Sequence, residues 1–208
     1  MKAIRHIRNV FSALLASGFL AYGGAALAQT AAPAVPRIRA TIEKITGNKI
    51  EVVAKGGKKM TLTLAPDAGI FGVTQGTTAD IKSDSFIGTA AVAQADGTLK
   101  ALEVTVFPSG MKAGEGHYPW DLGRNSTMTN GTVSKLVVSR GRILTVTYPN
   151  GEKKIVVPND VPIVNLEKGD RSLLISGAHA VFFMSKLADG AQVAAHVSVG
   201  RNGLVPPM

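Results

Sequence analysis

Arg37-Ile38-Arg39-Ala40-Thr41-Ile42 alternates polar and apolar side chains. A half-buried β-strand requires that period of two, because successive side chains leave a pleated chain on opposite faces. Met60-Thr61-Leu62-Thr63-Leu64 and Leu102-Glu103-Val104-Thr105-Val106 alternate in the same way. Between such runs stand Thr46-Gly47-Asn48, Gly56-Gly57 and Asp96-Gly97. These residue types favour tight turns, and Asp-Gly is a strong hairpin signal. Nothing after residue 36 shows the longer period of an amphipathic helix, so the fold class is all-β.

The second half of the chain restates the first. Thr41-Ile42-Glu43-Lys44-Ile45 corresponds to Thr132-Val133-Ser134-Lys135-Leu136, and Ala65-Pro66-Asp67 to Val157-Pro158-Asn159. With a shift of 93 positions, Ala95-Asp96-Gly97 meets Ala188-Asp189-Gly190 and Val104-Thr105-Val106 meets Val197-Ser198-Val199. A recurring order of this kind marks repeated structural units. Each unit has room for five or six short strands. A sheet that small must close to bury its apolar face and protect its edges, as the five-stranded OB-type barrel does. The expected architecture is two tandem small OB-like β-barrels, at 37–107 and 130–200, joined by a Gly-rich linker at 108–129 and followed by a tail at 201–208. An open sandwich is the alternative.

Ahead of the first strand, Lys2, Arg5 and Arg8 precede an apolar run from Val10 to Ala21 and a small-residue stretch ending Ala26-Leu27-Ala28. A basic start, a short apolar middle and an Ala-x-Ala ending compose a secretory signal. The 12-residue run is too short for a bilayer, which takes about 20 residues. The reading is a signal peptide at 1–28, a mature start at Gln29, a Pro- and Ala-rich leader at 29–36, and a periplasmic or secreted product with no transmembrane span. The absence of cysteine excludes disulfides, thiolate catalysis and thiolate metal sites. With the signal's three cations removed, 20 basic residues face 14 acidic ones. That surplus suits weak contact with an anionic envelope surface and is small for a nucleic-acid footprint. The paired tips Lys55-Gly56-Gly57-Lys58-Lys59 and Lys153-Lys154 would carry that contact, or would simply keep sheet edges soluble.

Strand, Gly/Asn turn, strand, Pro-Asp, then Ala79-Asp80-Ile81-Lys82 and a closing Asp-Gly hairpin together resemble a family of small exported bacterial β-barrel domains with no established function. Gly114-Glu115-Gly116-His117-Tyr118-Pro119-Trp120-Asp121 and Glu152-Lys153-Lys154-Ile155-Val156-Val157-Pro158 resemble its two-domain version. Members often carry an automatic label as metal-transporter permeases. The resemblance implies the barrel fold and brings no catalytic motif. The permease label sits poorly with a chain that has no later stretch of spanning length.

The linker holds the only Trp, Trp120. His117, Glu115 and Asp121 are suitable ligand types for a divalent metal, although their spacing matches no established motif and Gly-rich backbone fixes no geometry. The competing reading tucks Tyr118, Pro119 and Trp120 against the barrels as an anchor. In the second unit, an Asp189-Gly190 hairpin places Phe183 opposite His196, with His179 four residues further along and out of shared reach. If Val193, Ala195, Val197 and Val199 point inward, then Val181, Phe183 and His196 form an outer patch, and a patch of this size marks a contact. There is no Gly-x-Ser-x-Gly elbow, no His-Glu-x-x-His helix and no P-loop. The expected function is therefore a non-enzymatic periplasmic binding or scaffold module acting by protein contact, without cofactor and without nucleic acid. The alternative is a periplasmic metal-binding accessory protein using the His117 linker.

Overall fold

The computed structural model describes residues 36–138 and 142–208. The expected signal peptide, and the leader apart from Pro36, lie outside the described residues. Among these residues the chain is all-β: thirteen strands form one continuous hydrogen-bonded sheet with no α-helix. In chain order they are β1 (Arg37–Thr46), β2 (Lys49–Ala54), β3 (Lys59–Gln75), β4 (Phe86–Ala93), β5 (Leu99–Ala101), β6 (Val104–Val106), β7 (Gly116–Pro119), β8 (Ser126–Val138), β9 (Arg142–Tyr148), β10 (Gly151–Val157), β11 (Ile163–Lys168), β12 (His179–Lys186) and β13 (Gln192–Gly200).

The alternation read at β1 to β3 holds. Ile42, Ile50, Val52, Leu62 and Leu64 are buried while Thr61 and Thr63 face water. These strands do not close with the next strands in sequence. β1 pairs with β12, β12 with β13, and β13 runs parallel to β3, which closes a five-stranded barrel from β1-β2-β3-β13-β12. A second ring of pairings joins β8-β9-β10 to β5 and β4, with β10 parallel to β5 and β4 antiparallel to β8. Each ring takes a three-strand meander from one half of the chain and a closing hairpin from the other. Neither 37–107 nor 130–200 holds a ring by itself, which corrects the expectation of two barrels contiguous in sequence. The crossing is made by β3. Its 17 residues run past the first ring, and Phe71 to Gln75 pair antiparallel with β11.

The same pairings recur in both rings. Phe86↔Thr132 in one answers Thr41↔His179 in the other, and Ala91↔Ala101 answers Met184↔Ala194. A bulge interrupts β1–β2 after Ile42 and β8–β9 after Val133. Short 3-10 turns, Thr78–Asp80 and Arg171–Leu173, are capped by Thr77 and Asp170. Val73 lies directly opposite Leu166 in the β3–β11 pair.

Three cores follow from this. Phe182, fully buried, fills the first ring together with Ile42, Leu64 and Val197. Ile87, Val133, Leu144 and Ile155 fill the second. Between the rings, Val73, Val164, Leu166 and Val181 form the third. Two local expectations also change. Glu103, a polar position of the alternating run Leu102 to Val106, is fully buried, and its neighbours Val104 and Thr105, on alternate faces, are buried as well. In β13 a bulge between Ala194 and His196 breaks the alternation, so Ala194 rather than Ala195 enters the core.

Candidate functional site

A cavity of roughly 450 Å³ opens between the two rings. Leu166 on β11 lines it, together with Thr105 on β6 and Ser198 on β13. One wall comes from the first ring and its borders, through Phe71 on β3, Phe183 on β12 and His196 on β13. The opposite wall comes from Phe107, Met128 and Asn130 with the segment leading to β8, which brings Tyr118 and Trp120. That segment is not a free linker. β7 pairs with β8 from Gly116↔Asn130 to Pro119↔Thr127, and the Trp120 amide donates to the Ser126 carbonyl at 2.8 Å.

Trp120 is half-buried and held from both sides. The Arg37 guanidinium lies 3.6 Å above its ring, and Tyr118 tilts against it at 6.0 Å. A cation over an indole face is attracted by the ring quadrupole. Asp121 then accepts from Arg37 at 3.1 Å and from Arg39 at 2.9 and 3.1 Å. Hydrogen bonding from Arg39, and the positive charge of both arginines, hold the Asp121 carboxyl below its usual range, with partial burial opposing. The Trp120-Asp121 turn therefore clasps β1 of the other ring.

The patch read from the sequence divides. Phe183 lies opposite His196, as expected, but for a compensated reason. The hairpin loop is longer than two residues, since Lys186 pairs with Gln192, and the β13 bulge restores the register. Phe183 and His196 line the cavity with Trp120, and Phe71 stands 6.5 Å from His196. Val181 instead lies beneath, 1% exposed, in the inter-ring core. His179, away from the cavity, shares a 3.0 Å hydrogen bond with Thr41.

His117, Glu115 and Asp121 are not gathered into a ligand set. Among the described residues no three His, Asp or Glu side chains come close enough to hold a metal. His117 Nδ1 is 2.9 Å from Thr129 Oγ1, its ring stacks near Tyr148, and burial followed by the charge of Lys153 lowers its pKa. The Asp121 carboxylate is taken by arginine.

No protein-family model, curated protein or solved structure matches this chain.

Sequence reasoning missed Asn130, Met128, Phe107 and Phe71 as cavity residues. Asn130 alone left a legible signal, because Asn is depleted in strands and this one sits inside the run Ser126–Val138. Its Nδ2 donates to the Ala113 carbonyl and to the Tyr118 hydroxyl, both at 3.0 Å. Its Oδ1, like Trp120 Nε1, is buried without a partner among the described residues. Gly88 faces that oxygen, and a Cβ there would stand 2.7 Å from it.

Proposed function

We propose that this chain is a non-enzymatic exported binding module whose working surface is the cavity between the rings. The observation that carries the proposal is the convergence of Trp120, Phe183 and His196 on one apolar space of roughly 450 Å³. Ligand sites typically enclose about 300–1,000 Å³, lined mostly by apolar side chains with a few placed polar groups. The strand order of each ring supports an OB-like barrel, a five-stranded Greek-key form that commonly serves binding. The recurring register supports a tandem repeat whose units exchange their closing hairpins, in keeping with the resemblance to exported β-barrel domains. A non-catalytic role is supported by the state of two carboxylates bonded to cavity-lining residues, Glu103 to Thr105 and Asp121 to Arg37. Glu103 is enclosed, and Asp121 is neutralised by Arg37 and Arg39.

Nile red, an uncharged dye that brightens in apolar surroundings, is expected to bind the protein at one site. Phe183→Trp, which adds bulk to the cavity wall, should weaken that binding at least tenfold while strand content stays unchanged by circular dichroism. Equal binding by both proteins would move the site elsewhere. For export, mass spectrometry of the periplasmic or secreted product should find Gln29 as the first residue. Intact Met1 to Ala28 on most exported molecules would remove the signal-peptide reading.

A further inference from the structure

We infer that the outer face of β8, β9 and β10 docks on an anionic lipid bilayer, with Val137, Ile143 and Val156 entering the headgroup layer and Lys100, Lys135 and Lys154 meeting lipid phosphates. Register places these side chains together. Ile143 stands opposite Val137 on one side and Val156 on the other, and Val156 stands opposite Lys100 of β5. Two positions along, Thr145 stands between Lys135 and Lys154. Directly opposed residues share a face. The intervening Leu144 and Ile155 fill the second core, so both rows point away from it. Val137 and Ile143 are each 37% exposed, and Val138, at the end of the same strand, is 67% exposed. An apolar row is thus bordered by lysine along one side and at one end. Glu152, opposite Thr147, lies beyond the lysine row.

The fold does not require this face to be apolar. The meander of the first ring presents Lys44, Glu51 and Thr61 in one outward row and Thr46, Lys49 and Thr63 in the next. Those rows are polar and mix both charges, as a solvated sheet face does. Exposed Val and Ile in adjacent positions mark a contact, and the flanking lysines select an anionic one. Shape selects the bilayer. The outer face of a closed ring is convex, and a deformable lipid surface accepts it without a matching socket. Lysine suits the border, because its long stem lets the ammonium reach phosphate while shorter apolar neighbours go deeper. Each cation held near an anionic bilayer adds about fivefold in affinity. None of these residues lines the cavity between the rings, so the docking does not depend on what the cavity holds.

Vesicle co-sedimentation of the intact mature protein tests this. One set of vesicles is phosphatidylcholine alone, and the other is equal parts phosphatidylcholine and phosphatidylglycerol. Binding to the anionic vesicles is expected to be at least tenfold tighter than to the neutral ones, and to weaken as salt is raised. Val137→Thr with Ile143→Thr, which keeps the β-branched shape and removes apolar surface, should cost about tenfold. Lys135→Gln with Lys154→Gln should cost about 25-fold at low salt. Circular dichroism and the urea midpoint check that each variant is folded, and either variant decides alone should the other fold poorly. Equal binding to both kinds of vesicle, full binding by a folded variant, or no binding by the wild type would each overturn the inference. So would poly-glutamate held as tightly as the anionic vesicles and weakened by the same substitutions, which would make the partner an acidic polypeptide. Nile red binding, measured without vesicles, is expected to be the same in all three proteins, so failure of the docking leaves the cavity reading standing.

Discussion

Phe182→Ala is expected to destabilise the protein by about 3–5 kcal/mol, the usual range for deleting a well-enclosed aromatic ring from a core. The loss should appear in strands distant in sequence. Phe182 is fully buried against Ile42, Ile50 and Leu64 in the first ring, although it sits on β12 near the end of the chain. Amide exchange should therefore quicken in residues 37–64 as well as in the hairpin 179–200, and should change least in the second ring around Leu144 and Ile155. Urea unfolding would give the magnitude and exchange mass spectrometry the location. Deprotection of residues 133–157 in place of 37–64 would show that the hairpin closes onto its own half after all.

Glu103→Gln carries the second large effect, and its sign depends on pH. The Glu103 carboxylate is fully enclosed, accepting from the Ala90 amide at 3.0 Å and the Thr105 hydroxyl at 2.9 Å. Burial pushes its pKa from 4.5 up to about 7, only partly offset by those two bonds and by the charge of Arg39. A carboxyl with a raised folded value takes up a proton on folding between those two pH values. Its contribution is therefore most favourable below about pH 4.5 and declines as pH rises to about 7, by about 3 kcal/mol in all. Glutamine mimics the protonated form. The variant should match the wild type near pH 4.5 and exceed its stability by about 3 kcal/mol at pH 8. Asp121 and His117, whose values are lowered, act in the opposite direction, and both are common to the two proteins, so the difference isolates Glu103. Equal stability of the two proteins at pH 8 would mean that the carboxylate is solvated.

Much of the strand content was legible because alternation and turn chemistry are local. The run Met60 to Leu64 gave its inward face correctly, and Asp96-Gly97 gave its hairpin, with Gly97 at positive φ and Asp96 accepting from the Thr98 amide. The exchange of hairpins was not legible. Alternation fixes which residues of a hairpin point inward but not which meander it joins, so β4–β5 and β12–β13 read the same for either ring. What separates the outcomes is the direction in which β3 leaves the first ring, and no residue pattern reports that. The cavity was half legible for a related reason. Trp120, Phe183 and His196 stood out by size or register, whereas Asn130 and Met128 fell at the assumed edge between linker and barrel. Glu103 misled because period-two reasoning assumes one wet face, whereas the consecutive residues Glu103, Val104 and Thr105, which alternate between faces, are all buried.

The exchanged hairpins also invert the order in which the protein can assemble as it emerges from a ribosome or a translocation pore. The ring that begins with β1 closes only through β13, so its last partner is not available until Gly200 has emerged. The ring that begins later, at β8, finds β4 and β5 already made and is complete at Val157. The younger ring thus closes first, while β1 to β3 wait with their apolar faces exposed for more than a hundred residues of further chain. Such long-range closure slows folding, and it leaves the waiting strands open to holdases or to capture by a second chain for as long as the final hairpin is missing.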